Sequence, residues 1–143
     1  MKKTVYIGMA LTNAPKDFVD EFYPELCSAL EATGNIEIIK FLGLEAGEPL
    51  SVHKYDTGCI ASADLMVGIC DYPSTGLGME IMHRHNLKKP LLLFSHKDAT
   101  ITRMVIGFAQ NEDLPCIKYK TVDDIVDQVV DHFTQSMIAE AAV

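Results

Sequence analysis

The sequence predicts an α/β domain whose parallel sheet is covered by helices on both faces. Three observations predict it. Short apolar runs of strand length alternate with segments of helical periodicity along the whole chain. Two of the runs, at residues 65–70 and 91–94, are almost continuously apolar, as strands are when neither face meets water. Turn residues punctuate the junctions, as at Thr33-Gly34-Asn35, Pro73-Ser74-Thr75-Gly76 and Lys88-Lys89-Pro90.

The first strand is read at residues 4–10. A helix is expected over residues 14–32, with Phe18, Phe22, Leu26 and Leu30 at helical spacing and Gly34 just past its end. The second strand falls at residues 36–41, followed by a loop over residues 43–50 that holds two glycines and a proline. A short helix is expected over residues 52–62, the third strand over 65–70, a turn over 71–76, and a helix carrying Glu80 to about Leu87. The fourth strand covers 91–94, a helix lies near 101–110, and a fifth strand is read at 116–119. Thr121 opens the last helix, with Val122, Ile125, Val129 and Phe133 on one face and Asp123 and Asp124 favouring the positive end of its dipole. Residues 138–143 are expected to fray. Residues 1–143 thus read as one doubly wound domain, a flavodoxin-like or Rossmann-like three-layer sandwich of about five parallel strands.

A chain of 143 residues suits a single domain that needs neither disulfide nor metal to bury a core. Its net charge of −8 argues against a general nucleic-acid binder, which gains affinity by neutralising phosphates. Cys27, Cys59, Cys70 and Cys116 form no CxxC pair and read as small buried apolar residues in a reducing compartment. No signal peptide or membrane-spanning run is read, so a cytoplasmic protein is expected. His83 and His85 stand two apart on a helix and point in different directions, so no metal site is expected.

In sheets of this kind ligands bind outside the carboxyl ends of the strands. The loop after the third strand, Asp71-Tyr72-Pro73-Ser74-Thr75-Gly76-Leu77-Gly78-Met79-Glu80, lies there. Gly76 and Gly78 let a ligand approach the backbone, Ser74 can cap the helix that follows, and Glu80 sits about one turn into it. The stretch is neither a complete GxGxxG fingerprint nor a Walker A loop. On residues alone a tight strand–helix turn with a solvated glutamate is an equal reading. Asp71 is placed for a sugar contact or for turn chemistry, and Asp64 for orienting the start of the third strand.

With Tyr6, Asp56, Ala63-Asp64, Lys89-Pro90 and the segment 102–107 added, the sequence resembles the nucleoside 2-deoxyribosyltransferase family. That family includes relatives that hydrolyse deoxynucleoside monophosphates. The resemblance implies that Glu80 is the nucleophile on the anomeric carbon, that Asp56 is its supporting carboxylate and that Tyr6 positions it. Ser74 would contact the 5′ side of the sugar or its phosphate. Gly76, Gly78, Asp71 and Met9 would complete the substrate site. The position of Thr102 can reach a neighbouring subunit's site, so a homodimer or larger assembly is expected. The partner implied is a nucleoside or nucleotide, and no cofactor is needed. Where relatives often carry Gly and Ser after the first strand this chain has Met9 and Ala10, and where they have small residues after the nucleophile it has Met82 and Arg84. A catalytically silent nucleotide-binding module on the same fold is the alternative. A flavodoxin-like or receiver-like domain is a weaker one, since the first strand ends without an acidic pair.

Overall fold

The computed structural model describes residues 1–41 and 47–143. Residues 43–46 of the loop expected after the second strand therefore lie outside the described residues. The strands are β1 (Lys3–Met9), β2 (Ile36–Ile39), β3 (Leu65–Ile69), β4 (Leu91–His96) and β5 (Cys116–Tyr119). The helices are α1 (Tyr23–Glu31), α2 (Pro49–Ser62), α3 (Thr75–Asn86), α4 (Arg103–Asn111) and α5 (Val122–Ala141). The strands form one parallel sheet in the order β2-β1-β3-β4-β5. The expected doubly wound architecture is borne out, and the strand order reverses between β1 and β3.

Period-two alternation in the strands builds two cores. Val5, Ile7 and Met9 of β1 join Val67, Ile69 and Phe94 beneath α1 and α5, with Leu26, Leu30, Ile125 and Val129. Tyr6 joins Met66, Leu91 and Leu93 on the other face, under Ile60 of α2 and Leu77 and Ile81 of α3. Gly8 and Gly68 are register partners at the point where the strand order reverses. A Cβ on Gly8 would lie 3.0 Å from Leu77 Cδ1 of α3, and one on Gly68 would lie 3.7 Å from Ile81 Cδ1 of α3 and 3.0 Å from Leu93 Cδ2 of β4. Two residues without side chains thus let α3 sit close to the sheet.

Several boundaries differ from the sequence reading: β2 ends at Ile39 rather than residue 41, and α2 begins at Pro49 rather than residue 52. The first helix changes pitch: Phe18–Phe22 form a π-turn, and the Tyr23 amide donates to the Phe18 carbonyl. Pro24 supplies the reason, since it has no N–H and its ring crowds the preceding turn. β4 runs two residues further, through the buried Ser95 to His96. α3 begins at Thr75, so Gly76 and Gly78 lie in its first turn rather than before it. α5 continues through Ile138 to Ala141. Among the described residues no helix is long and apolar enough to cross a membrane.

Candidate active site

The sheet and two helices bring Tyr6, Asp56 and Glu80 together. Tyr6 comes from the middle of β1 and is buried beneath α3. Asp56 comes from α2 and is half-buried; Glu80 comes from the second turn of α3. Ser74 starts α3 as its N-cap, its Oγ accepting from the Leu77 amide at 3.2 Å. That cap ends the strand-to-helix turn and fixes the helical phase, which places Glu80 over β1. A Cβ on Gly8 would meet Glu80 Oε2 at 3.0 Å, so the carboxylate rests against the strand itself.

Glu80 is poised electrostatically. Burial pushes its carboxyl up to about 7, a hydrogen bond from the Tyr6 hydroxyl opposes that rise, and the negative charge of Asp56 adds to it. Tyr6 is raised in turn, first by burial and then by the charges of Glu80 and Asp56, so it remains a neutral donor at physiological pH. Glu80 Oε2 is buried with no hydrogen-bond partner among the described residues. Among the described residues the Tyr23 hydroxyl and Ser95 Oγ are buried in the same condition, so what sets Glu80 apart is the company of Tyr6 and Asp56.

Other expected residues stand apart from this group. The Met9 side chain packs in the opposite core with Phe18 and Leu26. A period-two reading from Tyr6 separates it, since Tyr6 and Gly8 share one face and Met9 takes the other. Asp71 turns toward β4 and β5: its Oδ1 accepts from the His96 amide at 2.7 Å and its Oδ2 from the Tyr119 hydroxyl. It thereby ties three strand ends together beside a cleft of about 850 Å³ lined by Phe18, Phe22, Tyr72 and Tyr119. Thr102 is the N-cap of α4, its hydroxyl accepting from the Val105 amide at 3.3 Å. Gly76 and Gly78 face open space, with no atom closer than 3.9 Å to a Cβ built on either. Asp64 orients the start of β3, as expected: its carboxylate accepts from the Thr4 amide at 2.8 Å and the Thr4 hydroxyl at 3.0 Å. Among the described residues no group of three or more His, Cys, Asp or Glu could hold a metal ion. Gly8 was not singled out in the sequence; a glycine inside a strand pattern signals close approach of another group, and here that group is Glu80.

No family model matches the chain. It is 26% identical over 113 residues, 73% of this chain and 78% of the other, to a protein of Thermofilum pendens named provisionally as a 2′-deoxynucleoside 5′-phosphate N-hydrolase. Among solved structures it is similar to a CMP N-glycosidase of Clostridium botulinum, with a TM-score of 0.68, 19% identity, and 91% and 99% of the two chains covered. It is also similar to a 2-deoxyribosyltransferase of Bacillus psychrosaccharolyticus, with a TM-score of 0.59, 20% identity, and 86% and 90% covered. The resemblance read from the residues thus holds in sequence and in fold: this chain is similar to the nucleoside 2-deoxyribosyltransferases and their N-hydrolase relatives.

Proposed function

We propose that the chain is an enzyme that cleaves or transfers the N-glycosidic bond of (2′-deoxy)nucleosides or their 5′-monophosphates, with Glu80 as nucleophile. The observation that carries the reading is the buried, unspent Oε2 of Glu80, held against Gly8 with Tyr6 and Asp56 beside it. Breaking a C1′–N bond develops positive charge on the sugar. The Glu80 carboxylate stabilises that charge and bonds to C1′ as the base departs with the bonding electron pair. A proton reaches the base from an acid or an ordered water. Water or an acceptor base then attacks C1′, Glu80 leaves as carboxylate, and the configuration is retained. Tyr6 holds the nucleophile in place, and the charge of Asp56 keeps Glu80 from ionising too easily before substrate arrives. Ser74 and the open first turn of α3 suit the 5′ side of the sugar.

The Thermofilum pendens relative favours hydrolysis of a 5′-monophosphate over base exchange. A homodimer belongs to the same reading: Met79 and Met82 on α3 and Met104 and Ile106 on α4 are exposed, and a second copy would cover them. The test is incubation with deoxynucleosides and their 5′-monophosphates, with and without an acceptor base, followed by chromatography. Wild type should release or exchange base, and Glu80→Ala should lose at least about a thousandfold in rate. Equal slow rates for both would overturn the reading. Sedimentation reports the assembly.

A further inference from the structure

Arg84 lies on α3 four residues beyond Glu80 and is fully buried. A guanidinium taken out of water costs several kcal/mol unless its donors are met. Here Nε donates to the Pro90 carbonyl at 2.9 Å. One terminal nitrogen donates to the Ile60 carbonyl at 2.6 Å and the Ala63 carbonyl at 2.9 Å, and the other to the Asp64 carbonyl at 3.0 Å. Backbone carbonyls from two separate segments therefore take four of the roughly five N–H donors that arginine offers.

Those carbonyls are not a random set. Ile60 is in the last turn of α2, and Ala63 is its C-cap. A helix leaves its last carbonyls without intrahelical partners, and they carry the negative end of its dipole. α2 has no basic residue in its own last turn. The cations come from outside it: Arg84 from α3, and Lys89, whose Nζ donates to the Ala61 carbonyl.

The spacing links the clamp to the carboxylates. Ile60 follows Asp56 by four residues on α2, as Arg84 follows Glu80 on α3. Residues four apart lie on one helix face, about 6 Å along the axis. The Arg84–Ile60 bond is therefore a rung one turn away from the Asp56–Glu80 pair. An apolar side chain could fill the same volume at less desolvation cost; the planar, forked guanidinium fixes a distance as well.

We propose that Arg84 is a positioning residue of the candidate site: it bolts α3 to the end of α2 and so sets the gap across which Glu80 and Asp56 face each other. Its catalytic consequence rests on the reading of Glu80 given above; its geometric consequence does not.

The test compares wild type, Arg84→Lys and Lys89→Met, using carboxyl-labelled glutamate and carbon NMR to titrate Glu80, with Glu80→Gln to assign the resonance. Lysine presents a point charge on a stem that cannot span the four carbonyls. In Arg84→Lys, α3 should therefore shift away from α2, and both the push from Asp56 and the dryness around Glu80 should lessen. The Glu80 midpoint should fall by roughly half a pH unit or more. Lys89→Met, which loses one outer bond, should give a smaller fall in the same direction. In turnover, Arg84→Lys should lose about tenfold or more in kcat with KM changed less than about threefold, the pattern of a misplaced nucleophile. If Arg84→Lys melts lower but keeps the wild-type midpoint and kcat, Arg84 only holds the fold and the proposal is overturned. If Arg84→Lys does not fold, Lys89→Met decides, and an unmoved midpoint overturns it. A shifted midpoint in protein that cleaves no nucleoside would uphold the clamp and reject the glycosidic reading.

Discussion

Replacing Glu80 with Gln should make the protein more stable at pH 8 than at pH 5, relative to wild type. Burial holds the Glu80 carboxyl at about 7 against an ordinary value of 4.5. The folded state therefore keeps its proton to a higher pH than the unfolded chain does. Wild type should be at its best, as far as this group goes, below about pH 4.5, lose stability as pH rises toward 7, and stay level above that. A displacement of that size corresponds to about 3 kcal/mol, and relaxation and water entry reduce it to roughly 1.5–3 kcal/mol. Glutamine stays neutral and keeps an acceptor for Tyr6. Any cost of its amide beside Gly8 is the same at every pH and cancels from the comparison. For a chain of this size the gain amounts to about 5–9 °C in melting temperature. The assay is thermal melting by circular dichroism of both proteins at pH 5 and pH 8 and fixed ionic strength. A difference between them that is the same at both pH values would refute the buried, charge-opposed carboxylate on which the proposed chemistry depends.

Three further perturbations probe the same neighbourhood. Tyr6→Phe removes the hydrogen bond that favours ionised Glu80, so the rise of activity with pH, expected near 7 in wild type, should move to higher pH in a kcat/KM profile. Gly8→Ala brings a methyl to 2.9 Å from Met66 Cε and 3.0 Å from Glu80 Oε2. These are ends of flexible side chains, so the stability cost by denaturant unfolding should be modest, about 1–3 kcal/mol, while turnover falls far more because Glu80 is displaced. Tyr119→Phe strips a donor from Asp71 Oδ2 and should cost about 1–3 kcal/mol in the same unfolding assay with turnover little changed.

Much of the architecture was legible because the strands say the same thing twice. Leu65–Ile69 and Leu91–Phe94 are apolar on both faces and can only lie inside a covered sheet. The opening of α5 is equally explicit, since Asp124 supplies the capping box with Thr121. The pitch change at Phe18–Phe22 was not legible, because Pro24 marks a disturbance without saying how the chain absorbs it. In the site, the family resemblance implied that Tyr6, Asp56 and Glu80 belong together, yet only the fold brings β1, α2 and α3 to one point. Met9 could have been separated from them by counting alternate residues along β1. Arg84 stood out as bulky and charged in a helix expected to carry small residues. That it would be fully buried and bonded to Ile60, Ala63, Asp64 and Pro90 depends on where α2 ends, which no local pattern encodes.

The sheet divides the molecule into a working side and a plain side. α1 and α5 cover the face opposite Glu80, and α5 exposes Gln135, Met137 and Ile138 along its outer surface. A dye, a surface tether or a fused partner attached there would leave the carboxylate face unobstructed. The same division offers an immobilisation handle and a reporter position without altering any group assigned a chemical part.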